Sequence, residues 1–61
     1  MEQVTVKIGN EIVKVAQHSY AIQIWVGGKW HTTAIYPPDA LEAAKRHISV
    51  IERECRIMQL N

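Results

Sequence analysis

Residues able to do covalent or metal chemistry are sparse here: one cysteine, three histidines and six acids among 61 residues. A nucleophile needs a base within hydrogen-bond reach. Cys55 and His47 are the only pairing available on the C-terminal segment, and they stand eight residues apart. On a helix that separation is about 12 Å, too far for one hydrogen bond. Cys55 also falls in a row of apolar residues, where a thiol is normally buried and inert. His18, His31 and His47 lack the short, regular spacing of a zinc or other metal site. The acids are scattered. Glu42–Arg46 and Glu52–Arg56 have the i,i+4 order of ion pairs that support a solvated helix. Gly27-Gly28 leads into strand-like sequence and not into a helix, so it reads as a hairpin turn and not as a phosphate loop. No enzyme activity, cofactor or metal is expected.

The residues that could do binding chemistry are aromatic and basic. Trp25, Trp30 and Tyr36 share a strand face with Gln23 and Thr32, and Lys7, Lys14 and Lys29 lie on neighbouring strand segments. Aromatic side chains on a sheet with nearby cations can stack unpaired bases. Tryptophan and tyrosine are equally the residues that anchor protein interfaces. A plainer role is a cross-strand tryptophan pair that steadies a hairpin.

Positioning these side chains is the task of four short strands. Val4, Val6 and Ile8 alternate with Thr5 and Lys7, the pattern of a half-buried strand. Gly9-Asn10 is a two-residue turn signal, and it pairs Ile8 with Glu11, Val6 with Val13 and Val4 with Val15. All the valines then share one face, so turn and pattern agree on the register. After the polar link Gln17-His18-Ser19, Tyr20 to Val26 and Lys29 to Tyr36 form a second hairpin about Gly27-Gly28. A two-residue turn there sets Trp25 opposite Trp30, Ile24 opposite His31, Ile22 opposite Thr33 and Tyr20 opposite Ile35. This puts Trp25, Trp30, Thr32, Ala34 and Tyr36 on one face and the aliphatic residues on the other.

Pro37-Pro38 ends the fourth strand. Asp39 and Glu42 have capping-box spacing, with no later proline or glycine to stop a helix. Leu41, Ala44, Ile48, Ile51, Cys55 and Met58 repeat at 3,4 spacing, a heptad seam, with Ala43, Val50 and Ile57 on its flank. The expected fold is therefore α+β in a single domain: a four-stranded antiparallel sheet of two hairpins (strands about 3–8, 11–16, 20–26 and 29–36) packed on one C-terminal α-helix (about 39–59). Such a helix of about 30 Å overhangs strands of about 23 Å. Its last turns, through Val50, Cys55, Ile57 and Met58, are then expected to pair with a second copy as an isologous homodimer.

Composition narrows the function further. A chain this short buries a smaller share of its surface than larger domains do, so it gains from oligomerising. Apolar content of 48% with 21% charged residues is that of a globular protein. Membrane-span length and a signal-peptide core are both missing from the sequence pattern. A single cysteine suits a reducing cytoplasm. A net charge of +1 argues against strong non-specific nucleic-acid binding and leaves room for a local patch.

The run from Tyr20 through Gly27-Gly28-Lys29-Trp30 to Pro38-Asp39-Ala40-Leu41-Glu42-Ala43-Ala44 resembles the strand–turn–strand–helix part of AP2-like domains, including the arm-type DNA-binding domains of integrases. That resemblance implies a sheet laid in the DNA major groove with a helix behind it. It would place Trp25, Lys29, Trp30 and Thr32 on the DNA side. Taken together, the residues point to a small non-catalytic binding protein, a homodimer that engages a protein partner through aromatic and apolar surface, with inhibition of that partner as one use of such binding. A phage origin fits the chain's size. Nucleic-acid binding through the outer sheet face is the alternative.

Overall fold

The computed structural model describes residues 2–61. Its first hairpin consists of β1 (Gln3–Ile8) and β2 (Glu11–Ala16), antiparallel, with Val4 opposite Val15 and Val6 opposite Val13. This is the register that the Gly9-Asn10 turn implies. The hairpin forms a sheet of its own. Its valine row is half-buried, while Thr5, Lys7, Ile12 and Lys14 are exposed.

The second sheet has three strands in the order β4-β3-β5. It contains β3 (Tyr20–Val26), β4 (Lys29–Tyr36) and β5 (Cys55–Gln59), all antiparallel. Gly27 and Gly28 both have positive φ, +59° and +80°. A tight hairpin turn of the hand that matches strand twist requires this at both central residues. The corner from β2 to β3 is closed by Ser19, which is almost fully buried and donates its hydroxyl to the Ala16 carbonyl at 2.6 Å. His18, at φ +69°, completes the reversal. The same corner holds the C-terminus: His18 N–H donates to the Leu60 carbonyl and Leu60 N–H to the Ser19 carbonyl.

The architecture overturns the expected four-stranded sheet under a long C-terminal helix. The described residues form five strands in two sheets, and the helix α1 covers only Leu41–Ser49. Two local features account for the short helix. The β-branched residues Ile48, Val50 and Ile51 crowd its end, and such residues are weaker helix formers. Ser49 returns its hydroxyl to the Arg46 carbonyl at 2.7 Å. Beyond the helix, Cys55 to Gln59 adds to the free side of β3, with Ile57 opposite the fully buried Ile22. The helix start differs too. Ala40, not Asp39, is the N-cap, and no side chain caps it. Glu42 pairs with Lys45 at 3.7 Å, not with Arg46, and Glu52 and Arg56 lie outside the helix.

A β-bulge between Ile22 and Gln23 also changes the second hairpin. Trp25 pairs with Trp30 and Ile24 with His31, but the extra residue Thr33 shifts the rest, so Ile22 faces Ala34 and Tyr20 faces Tyr36. One extra residue turns every later side chain to the other face. Ala34 and Tyr36 thus move to the helix side, and Ile35 comes beside Ala21. Ala21 and Ile22, adjacent on β3, point to opposite faces, yet both are fully buried. On the helix side, α1 packs on the sheet, with Ala44 its one fully buried residue. On the other side, Ala21 is flanked by Ile35 and Met58. The first hairpin adjoins this sheet through β1 and β4. Ile24, Ile48 and Ile51 are only half-buried.

Candidate functional site

The face of the β4-β3-β5 sheet turned away from the helix carries the constellation of interest. Alternation along each strand places Gln23 and Trp25 of β3, Trp30 and Thr32 of β4, and Arg56 of β5 on this side. Trp25 and Trp30 meet edge-to-face, with ring centroids 5.2 Å apart and planes at 67°. Gln23 lies between the outer strands and ties them together. Its Nε2 donates to Thr32 Oγ1 at 3.2 Å, and its Oε1 accepts from Arg56 Nε at 2.8 Å. The Arg56 side chain crosses β3 and sets its guanidinium over the Trp30 ring, 4.1 Å from the centroid. Two edge strands lie almost 10 Å apart in the hydrogen-bonding direction, so one extended arginine spans the width of the sheet.

A guanidinium held by both a hydrogen bond and a stacking contact loses little further freedom when it binds. Its Nε is used by Gln23, while the terminal nitrogens retain their donors. Among the described residues the only ion pair is Lys45–Glu42, so Arg56 has no carboxylate partner. It is half-buried, and Trp25 beside it is 41% exposed. The cluster therefore presents an oriented planar cation next to an open indole. That combination can grip a carboxylate or phosphate with two parallel hydrogen bonds and stack a flat or apolar group alongside.

Four of the eight binding residues expected from sequence come together here: Gln23, Trp25, Trp30 and Thr32. Lys7 joins them at the margin. An open groove of about 520 Å³ runs between the β1–β2 turn, with Lys7, and the Trp30–Thr33 stretch of β4. Lys14 stands on the exposed side of the hairpin, opposite Thr5. Lys29 lies opposite Val26 and so points to the other face from Trp30. Tyr36 is on the helix side, where its hydroxyl meets His47 Nδ1 at 2.9 Å with the rings edge-to-face. The bulge at Thr33 put it there. Arg56 was not singled out, because its spacing from Glu52 fits a helical ion pair. The alternating triplet Cys55-Arg56-Ile57 was the signal that could have found it.

The residues assigned to a helical dimer seam are also relocated. Cys55, Ile57 and Met58 are on β5, and Val50 follows the helix at 75% exposure. The Cys55 thiol approaches the Ile48 carbonyl at 3.9 Å. Among the described residues no cluster of histidine, cysteine and acidic side chains could hold a metal ion, and no helix is long and apolar enough to cross a membrane. Comparison with family models, curated proteins and solved structures finds no match.

Proposed function

We propose that the chain is a non-catalytic binding module that engages a protein partner through the outer face of its three-stranded sheet. The observation that carries this reading is Arg56, fixed on Trp30 and Gln23 beside the exposed Trp25 and lacking an acidic partner among the described residues. Tryptophan and arginine are the residue types that dominate protein-binding hot spots. A near-neutral chain gains little from long-range attraction to a polyanion, whereas a single acidic side chain on a partner would complete Arg56. The test is affinity capture from lysate with the wild type and with Arg56→Ala and Trp25→Ala chains. A protein retained by the wild type and released by both variants supports the reading. A partner held equally by all three removes it.

Nucleic-acid binding is the second reading, and a specific arrangement favours it. Lys7 faces the Trp30–Thr32 stretch across the groove, so two cations flank a stacking surface. The resemblance of Tyr20 to Ala44 to AP2-like domains points the same way. Retention of an oligonucleotide that weakens steeply with added salt, and less steeply in a Lys7→Gln chain, supports this reading. Binding that ignores salt favours the protein partner.

A further inference from the structure

We infer that the outer edge of β5 is a pairing edge for a second copy of this chain, which joins two three-stranded sheets into one antiparallel sheet across a two-fold axis at Ile57. The phase of the ladder identifies the free groups. Trp25 N–H donates to the Glu54 carbonyl, and Leu60 N–H donates to the Ser19 carbonyl. Even-numbered residues of this segment therefore direct their backbone groups toward β3. The amides and carbonyls of Cys55, Ile57 and Gln59 point away from it. Among the described residues no strand lies on that side, since β5 closes the order β4-β3-β5.

The two edges of the sheet are not equivalent. Exposed edges are normally blunted by bulges, proline, charge or cover. The β4 edge has the bulge at Thr33, Pro37-Pro38 at its end and β1 packed nearby. Over Cys55–Gln59 the β5 edge has neither bulge nor proline.

The occupant follows from self-complementarity. An antiparallel pairing centred on Ile57 sets Cys55 opposite Gln59 of the second copy and Arg56 opposite Met58 of the second copy. No like charges are directly opposed, and Met58, 40% exposed, gains cover from the second strand. The need is visible in the core as well. Among the described residues only Ala21, Ile22 and Ala44 are fully buried and apolar, little for a chain of this size. Pairing also brings two Arg56–Trp30 clusters onto one continuous sheet face.

The register makes a covalent test available. Cα atoms of directly opposed strand residues lie within disulfide range, whereas residues four apart on one strand do not. A Gln59→Cys chain should thus form an intermolecular bridge to the native Cys55 of the second copy under mild oxidation. Gln59 is exposed and its side chain makes one long bond, 3.3 Å, to the His18 carbonyl, so the substitution costs little in folding. The expected results are a dimeric wild type by sedimentation velocity at tens of micromolar, and covalent dimer from Gln59→Cys. A Cys55→Ser, Gln59→Cys chain should give none. Synthetic chain carrying an N-methyl group on the Gln59 amide removes only the outward donor, and it should sediment as monomer with unchanged circular dichroism. A monomeric wild type at the highest concentration overturns the inference, as does a bridge that forms equally without Cys55.

Discussion

Arg56 shows how much a residue's meaning depends on the element it belongs to. On a helix it would be a surface partner for Glu52. On β5 it crosses the sheet, stacks on Trp30 and accepts orientation from Gln23. Replacing it by lysine keeps the charge but loses the planar fork and the stack. For Arg56→Lys, partner affinity should fall by about 1.5–3 kcal/mol, the cost of a lost charged hydrogen bond. Folding stability should move by about 1–2 kcal/mol, because a half-buried cation–π contact contributes about that. Isothermal titration and thermal denaturation measure the two effects separately, and equal losses in both would make the cluster structural. Tyr36 is the converse. It was expected on the binding face and lies instead against His47. Tyr36→Phe should cost about 0.5–1.5 kcal/mol in denaturant unfolding and leave binding unchanged.

At the scale of elements, the two hairpins were legible because turn residues and alternation agreed. Gly9-Asn10 and Gly27-Gly28 each set the register of the residues next to them. The bulge at Thr33 was not legible, since an inserted residue in a strand leaves no distinct composition. The helix was misread for a definite reason. From Leu41 to Met58 the apolar residues keep heptad spacing, while Cys55-Arg56-Ile57 also alternates as a strand would. Local pattern supports both, and the choice falls to tertiary pairing: β3 had a free side, and Ile57 fits beside Ile22. The helix that remains packs through Ala44, its one fully buried residue. Ala44→Leu should therefore overpack the interface and destabilise by about 1–3 kcal/mol in urea unfolding. Val50→Ala, at a site 75% exposed, should shift stability by less than about 0.5 kcal/mol. A heptad helix reaching Met58 would reverse neither expectation at Ala44 but would make Val50 costly.

The whole molecule divides into parts of unequal strength. β3 is paired on both sides and carries both fully buried strand residues, Ala21 and Ile22. The β1–β2 hairpin is a separate sheet. Its apolar row is only half-buried, and a two-stranded hairpin is marginal in water by itself. Its links to the rest are the packing of β1 near β4 and the Gln17-His18-Ser19 corner. Cooperative units with few buried apolar contacts open at lower free energy than the global transition. Native-state hydrogen exchange should therefore separate two groups of amides. The inter-strand amides of β3 should exchange only through global unfolding, and the ladder amides of Val4 to Val15 should exchange faster, through local opening of the hairpin. The corner amide of His18, bonded to the Leu60 carbonyl, should follow β3 and not the hairpin, because it belongs to the closure that pins the C-terminus. If the Trp30–Thr33 groove is occupied by a partner that also touches Lys7, the hairpin amides should slow on binding while those of β3 stay unchanged. Uniform protection across both groups in the free chain would mean that the two sheets fold as one cooperative unit.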